Sequence, residues 1–443
     1  MKRNAQQIAD RVVDLVGDRA EVEAVATLGT AALTRFANSF IHQNVAEDTV
    51  GVRVRVAVDG KVASLTGNRV DDEGLTRLVD AVIEAATLQP VDEDWPGVAE
   101  PTPVMEVDHA DASTRKATPA QRADAVKAFI DAGNGLSAAG YCDTDFEEAA
   151  FANSRGQRAL GTVTRSTIDG IHQTGESAGS AHQTSSRFAE IDGKAAGELA
   201  ADRARRGTNA FDLKPGEYEV VLAPECVATM AIFMGFYGFS GKAFDEGASF
   251  VEIGVPQFDP RITIVDDPLG PDALGLPFDA EGTPKQPLDL VSAGVTKALA
   301  HDRRSARKAA TVSTGHGFAD ASIGPVTANL VVTGGDDSVE DLIGAVDRGL
   351  YVATFNYCRI LDPKSQVVTG LTRNGTFMIE NGRITGAVTN LRFTQSFVQA
   401  LGPGRVLGVG NDLRHADSEF GAGVVRAPSL HLAGWNFTGG AEG

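Results

Sequence analysis

From Val220 to Gly241 the chain reads V-V-L-A-P-E-C-V-A-T-M-A-I-F-M-G-F-Y-G-F-S-G, with no histidine and one carboxylate, Glu225. Its nearly apolar stretch, Cys226 to Phe239, is shorter than the roughly 20 residues a helix needs to cross a bilayer. The rest of the chain therefore has to wrap it as a buried core element, a helix entered from the V-V-L strand. Phe233, Phe236, Tyr237 and Phe239 add large rings to this element. They form either an apolar wall of a substrate channel or subunit contact, or ordinary core packing. Packing is favoured, because so much exposed aromatic surface is unusual without a partner.

Enclosing such an element takes a large core. A chain of 443 residues with 42% hydrophobic and 22% charged residues is long enough for two or three domains and has the balance of a soluble globular protein. Its 49 glycines and 6% aromatic residues indicate many turns and substantial β structure. The net charge of −19 repels phosphate backbones, which argues against nucleic-acid binding and favours solubility. The N-terminus, M-K-R-N-A-Q-Q-I-A-D, has no apolar segment behind its basic residues, so it does not read as a signal peptide. Cys142, Cys226 and Cys358 are too few and too far apart for a disulfide framework or a C-x-x-C zinc site. A reducing cytoplasm is the expected location, with no membrane association.

The predicted architecture is α+β: an N-terminal mixed α/β domain with an antiparallel sheet and a C-terminal β-rich, barrel-like domain with few helices. Residues 1–88 form an N-terminal α+β region. Ile8, Val12, Val13, Leu15 and Val16 recur at helical spacing over 5–16, followed by extended stretches at Val22–Leu28 and Thr30–Gln43. Val50, Val52, Val54, Val56 and Val58 alternate as a half-buried strand, and Asp59-Gly60 turns it into Lys61–Thr66. Asp71, Asp72 and Glu73 open a helix whose buried face carries Leu75, Leu78, Val79, Val82, Ile83 and Ala86.

Residues 89–117, rich in proline and acid, read as a linker. A middle α+β region, 118–213, begins at a capping-box pattern, Thr118-Pro119-Ala120-Gln121, with Val126, Phe129 and Ile130 on the buried face and Gly133 or Gly135 at the end. Strands fill Tyr141–Arg187, and a helix covers Asp192–Arg206 up to Gly207. The tetrapeptide Phe-Ala-Asn-Ser occurs at 36–39 and at 151–154, a hint of a duplicated strand unit. Lys214-Pro-Gly-Glu217 opens the C-terminal region, 214–443, with strands at Arg261–Val265, Ala328–Val332, Thr376–Glu380 and Val388–Arg392 and an Asn381-Gly382 hairpin turn.

Chemistry-bearing residues are sparse. A catalytic zinc site needs about three nitrogen or carboxylate ligands and a nearby base. His42, His109, His172, His182, His301, His316, His415 and His431 include no pair at i, i+4 or i, i+5, and none precedes a glutamate. His172 and His182, the closest pair, read as surface or hydrogen-bonding residues. Cys226 has apolar neighbours, which makes it an inert, buried thiol. Cys358 stands beside Arg359, which favours a thiolate, but it is an isolated cysteine and the unreactive reading is preferred. Asp266-Asp267 and Asp336-Asp337 are adjacent, so on a strand they face opposite ways and form no dyad. Neither Gly402-Pro403-Gly404 nor Gly408-Val409-Gly410 leads into a helix, as a phosphate loop would.

Several segments, in order, resemble the TldD/PmbA metallopeptidase family. Phe36–Asn44, Gly51-Val-Arg-Val-Arg55 and Asp59-Gly60-Lys61 are similar to its N-terminal strands. Val265-Asp266-Asp267-Pro268, Asp279-Ala-Glu-Gly-Thr-Pro284, Ser313-Thr-Gly315, Gly349-Leu-Tyr-Val352, Ile379-Glu-Asn-Gly382 and Gly408-Val-Gly-Asn-Asp412 follow in family order. The catalytic branch of that family carries H-E-x-x-x-H between a V-V-L strand and G-x-x-G. Here Ile232 and Phe233 stand at the first histidine and the glutamate, Tyr237 stands at the second histidine, and Gly238 and Gly241 keep the glycine frame. That branch also has a cysteine shortly after its G-N-D segment, and Arg414 to Pro428 has none.

The resemblance is therefore to the PmbA/TldE-like branch, which lacks the zinc motif. It implies that this chain has no catalytic or metal-binding residue of its own, with Phe236 and Phe239 as candidate cavity-wall residues. It implies a non-catalytic subunit of a heteromeric cytoplasmic zinc metallopeptidase acting on extended or unfolded peptides or on peptide-natural-product precursors. The zinc would sit in a TldD-like partner in a heterodimer; self-association as a homodimer is the other arrangement. Two alternatives remain open: a stand-alone hydrolase with an unrecognised site, and a homodimeric peptide-binding scaffold without proteolysis.

Overall fold

Thr118, Asn4, Asp71 and Asp192 each accept a hydrogen bond from the backbone N–H three residues on, and these caps start the four long helices of the first half. The computed structural model describes residues 3–419 and 421–440. In its first half lie α1 (Ala5–Val16), β1 (Glu21–Ala37), β2 (Phe40–Val58), β3 (Lys61–Gly67) and α2 (Asp72–Thr87). A single turn, α3 (Ala112–Arg115), precedes α4 (Pro119–Ala132), β4 (Ser137–Asn153), β5 (Arg158–Gln173), β6 (Ala178–Ser185) and α5 (Gly193–Arg206).

The order helix, three strands, helix thus occurs twice. The six strands join in one antiparallel sheet, β3-β2-β1-β4-β5-β6, with β1 and β4 paired at its centre. The two copies of Phe-Ala-Asn-Ser fall at the ends of those two central strands, where each hairpin turns. The duplication hinted at by the tetrapeptide is present as topology.

All four helices cover one face of this sheet. Ile8, Val12, Leu75 and Val79 pack on Val22, Ala24, Val54 and Val56, while Val126, Phe129, Ala196 and Ala200 pack on Phe36, Cys142, Ile168 and Ala181. Strand alternation then sends the other set of side chains to the opposite face. Glu23 lies opposite Arg55, Asp143 opposite Thr167, and Asp169 opposite His182. That second face carries these polar and charged groups beside a small apolar cluster of Ala149, Phe151 and Phe278, and it meets the second half of the chain.

The second half contains β7 (Gly216–Leu222), α6 (Pro224–Tyr237), α7 (Gly241–Asp245), β8 (Ile264–Asp266), β9 (Leu288–Ser292), β10 (Val295–Thr296), α8 (Arg303–Lys308), β11 (Leu330–Val332) and α9 (Val339–Gly344). It continues with β12 (Arg348–Asp362), β13 (Val367–Glu380), β14 (Arg383–Ala387), β15 (Leu391–Ser396), α10 (Phe397–Ala400), β16 (Val406–Val409), β17 (Arg414–Ser418), β18 (Gly421–Ala427) and β19 (Leu430–Gly440). Strands β12-β7-β19-β15-β13 form a ring closed by the β12–β13 pairing, a five-stranded barrel. A second six-stranded sheet, β10-β9-β8-β11-β18-β17, lies beside it. The apolar run read from the sequence is α6, with proline in its first turn, where the missing N–H has no intrahelical role. It packs against β11, β12, β17 and β18 in the largest hydrophobic cluster of the protein.

Four strand expectations change. The stretch Thr30–Gln43 is not one strand: Asn38 and Ser39, both at positive φ (50° and 63°), turn β1 into β2 as a two-residue hairpin loop. Val388 makes an isolated bridge to Phe211, and the strand expected over Val388–Arg392 starts at Leu391. Those expected over Arg261–Val265 and Ala328–Val332 shorten to β8 and β11.

Candidate functional site

Along α6, Ile232 is 6% exposed and Phe233 1%. The Phe233 ring lies 5.8 Å from that of Tyr237 and 5.9 Å from that of Phe397. Isoleucine and phenylalanine offer no ligand atom, and the surroundings are apolar, so these positions do not fit a zinc ion. Tyr237 and Phe236 are half-buried, with ring centroids 5.0 Å apart. Phe239 is fully buried against Phe250. It belongs to the core, which corrects its expected place on a cavity wall.

The polar groups of the molecule converge elsewhere. Where the charged face of the first sheet meets the barrel, a cavity of ≈ 340 Å³ is lined by residues of β5, β6, α5, α6, β12, β13 and β17. Asp169 on β5, His182 on β6 and Asp417 on β17 each present a ligand-type atom, all within 4.8 Å of one another. His182 is buried, with Nδ1 3.1 Å from Asp169 Oδ2 and Nε2 2.7 Å from Thr184 Oγ1. Both His172 and His182 are buried rather than at the surface, since each belongs to a strand covered on both faces; His172 stacks on Phe129 at 4.9 Å.

Glu225, in the first turn of α6, lines the same cavity. Arg414 donates to its Oε1 at 2.9 Å, and the Arg203 guanidinium stands 4.0 Å from Oε2. Burial alone would raise the Glu225 pKa, but the two guanidiniums hold it down at about 2. Burial pushes Asp417 up to about 6 despite His182. Asp143, on the same face, is also pushed to about 6, by burial and by Asp145. Burial disfavours a charged His182, but the hydrogen bond to Asp169 and the charge of Asp417 outweigh it and raise its pKa. The cluster can therefore hold and exchange protons near neutral pH, or hold a cation.

A second cavity, ≈ 560 Å³, adjoins the first and shares Gln173, Ala178, Arg373 and Asn374 with it. Its other walls include Thr174, Thr372, Thr376, Thr389 and Asn390. The combined cleft presents hydroxyl, amide and backbone groups, the chemistry that accommodates an extended main chain.

Four of the segments quoted for the family resemblance, Gly51–Arg55, Val265–Pro268, Asp279–Pro284 and Ser313–Gly315, gather in a different place. Asp266 Oδ2 lies 2.9 Å from His316 Nε2, and Thr314 Oγ1 2.8 Å from His316 Nδ1. Asp279 accepts backbone N–H groups from Glu281, Thr283 and Gly317. Glu281 and Glu23 flank Arg55, whose Nε donates to Glu23 at 2.6 Å. The assembly is buried and ties the first sheet to the second half, so these residues hold the two parts together. Cys226 and Cys358 are buried, and burial raises both thiol pKa values; at Cys358 it outweighs the neighbouring Arg359.

Asp169, Asp417 and Arg203 were not singled out in the sequence. Their signal was weak: Asp169 and His182 alternate correctly along two strands, but β17 reaches them only through the tertiary fold.

Residues 215–439 match the PmbA/TldA metallopeptidase C-terminal domain, and residues 22–86 match domain 1 of the same family. A metalloprotease TldD homolog from Buchnera aphidicola subsp. Acyrthosiphon pisum is 27% identical over 184 residues, 40% of this chain and 37% of that protein. A TldD homolog from Haemophilus influenzae is 27% identical over 154 residues, 34% of this chain and 32% of that protein. The chain thus spans about a third of the length of the curated relatives it matches. Among solved structures, TldE from Thermococcus kodakarensis superposes with a TM-score of 0.85 at 19% identity, covering 98% of each chain. A candidate modulator of DNA gyrase from Bacteroides thetaiotaomicron gives 0.84 at 20% identity, again over 98% of each. At these identities the likeness establishes the fold.

Proposed function

Since the chain belongs to the PmbA/TldA metallopeptidase family, we propose that it is a non-catalytic, TldE-like subunit of a cytoplasmic heteromeric zinc peptidase. The observation that carries this reading is the burial in the apolar core of Ile232 and Phe233, side chains without ligand atoms, at the positions the resemblance assigns to the zinc motif. A TldD-like partner bearing H-E-x-x-x-H supplies the zinc, the activated water and the glutamate base. This chain supplies one wall of the substrate cleft, whose polar lining holds an extended or unfolded peptide, or the precursor of a peptide natural product, in place. No helix among the described residues is long and apolar enough to cross a membrane.

The test is co-expression of this chain with a homologue from the same genome that carries H-E-x-x-x-H, followed by peptide-cleavage assays and zinc analysis of each chain and of the pair. The expected result is a stable complex that cleaves peptides only when both chains are present. Proteolysis by this chain alone would establish a stand-alone hydrolase. Failure to associate with any such homologue, together with self-association, would establish a homodimeric scaffold.

A further inference from the structure

We propose that Asp169, His182 and Asp417 bind a divalent transition-metal cation in the cleft between the first sheet and β17. This site is separate from the α6 positions and does not depend on any partner chain.

Geometry supports it first. Ligands each about 2.1 Å from one ion, set between a right angle and the tetrahedral angle, stand about 3.0–3.4 Å apart. His182 Nδ1 and Asp169 Oδ2 are 3.1 Å apart, inside that range; the Asp417 carboxylate lies within 4.8 Å of both and would move inward to complete the shell.

The hydrogen-bond directions support it next. Above about pH 6 Asp143 is mainly ionised and only accepts, so Thr167 then donates its hydroxyl hydrogen to it. The hydroxyl of Thr184, 3.2 Å from that of Thr167, then donates to Thr167 and is left to accept from His182 Nε2 at 2.7 Å. With Nε2 carrying hydrogen, Nδ1 faces Asp169 and needs either a second proton or a cation between them. An imidazole that donates one N–H to an outer partner and turns its other nitrogen toward carboxylates is the usual setting of a metal-bound histidine.

An independent observation concerns Glu225. It is 5% exposed and lines the same cavity; Oε1 is taken by Arg414, while Oε2 has no hydrogen-bond partner among the described residues and faces the Arg203 guanidinium at 4.0 Å. Neither Asp169 nor Asp417 has a lysine or arginine within ion-pair distance among the described residues; His182 is the basic group between them. One imidazole and two carboxylates suit Zn²⁺ and its first-row neighbours. Three protein ligands leave a coordination position open to the ≈ 340 Å³ cavity, where water or a carbonyl of a bound peptide would complete the shell.

The experiment is calorimetric titration of the chelator-stripped full chain with Zn²⁺. The expected result is one equivalent bound, weakened at least tenfold by His182→Gln and by Asp417→Asn and unchanged by Glu73→Gln on the exposed surface of α2. Circular dichroism checks that each variant is folded. Should either fail to fold, the native chain decides alone: Zn²⁺ must shift the ring ¹⁵N resonances of His182. Absence of zinc uptake, full affinity retained in both folded variants, or unshifted His182 ring resonances would overturn the proposal.

Discussion

Arg414 donates to Glu225 Oε1 at 2.9 Å, so β17, which follows the Gly-Val-Gly-Asn-Asp412 segment, is clamped to the first turn of α6. Arg203 of α5 approaches the same carboxylate and is 4% exposed. One carboxylate thereby joins three elements at the meeting of the sheet and the barrel. Removing it leaves a buried guanidinium uncompensated, and Glu225→Ala is expected to lower stability by about 3–5 kcal/mol. The Glu225 pKa is depressed, to about 2 against 4.5 for an unperturbed side chain. Its contribution is therefore complete above pH 4.5 and lost as pH falls toward 2. Urea midpoints should differ widely between wild type and Glu225→Ala at pH 7 and converge as the pH is lowered through that window.

Asp143 has the opposite sign. Burial and Asp145 push it up to about 6 from 3.8, so the folded state holds its proton more tightly than the unfolded chain does. The stability this provides is complete below pH 3.8 and lost as pH rises through 6. Asparagine imitates the neutral acid and still accepts from Thr167. Asp143→Asn is expected to stabilise the protein by about 1–3 kcal/mol at pH 8 and to make no difference near pH 4. Thermal melts of both proteins across that range check it, and equal melting temperatures at pH 8 would refute it.

Arg55 sits between Glu23 and Glu281, bringing together β1, β2 and the loop after β8. All three side chains are buried. Arg55→Met preserves much of the volume but strands two carboxylates, and it is expected to lower stability by about 3–5 kcal/mol. The loss should be local at first: hydrogen exchange should accelerate in residues 276–285 before it does so in the barrel. Uniform exchange across the protein would mean the ion pairs do not join the two halves.

What could be read from the sequence follows the range of the interactions involved. The Val50–Val58 alternation, the Asp59-Gly60 turn and the Thr118 capping box are local, and each appears where expected. The Asn38-Ser39 turn was missed because it reaches positive φ without glycine, the usual mark of such a loop. Strand β13 starts at Val367, well before the recognised Thr376–Glu380, because a barrel strand facing two environments need not alternate cleanly. The His182 cluster was hidden for a different reason: β6 and β17 lie far apart in the chain, and no local pattern announces that they meet. At α6 the reading is chemical and needs no fold: Ile232 and Phe233 carry no ligand atom, and the structure adds that both side chains are buried.

That chemical reading yields a last prediction. If Ile232 and Phe233 are now core residues, restoring the motif by substitution cannot restore a metal site. Phe233 is 1% exposed and contacts the rings of Tyr237 and Phe397. Phe233→Glu removes those contacts, a loss of about 3–5 kcal/mol for a large-to-small change in a core, and adds a buried carboxylate. The triple change Ile232→His, Phe233→Glu, Tyr237→His should therefore unfold at lower denaturant than wild type. It should not gain zinc-dependent peptidase activity, because the neighbouring helix and strands are shaped around apolar side chains and leave no room for a ligand shell. Denaturation curves and a peptide-cleavage assay with added zinc check both parts. A folded triple variant that cleaves peptides would mean that the apolar packing around α6 yields to a metal site, and that this branch differs from a catalytic one by those three side chains alone.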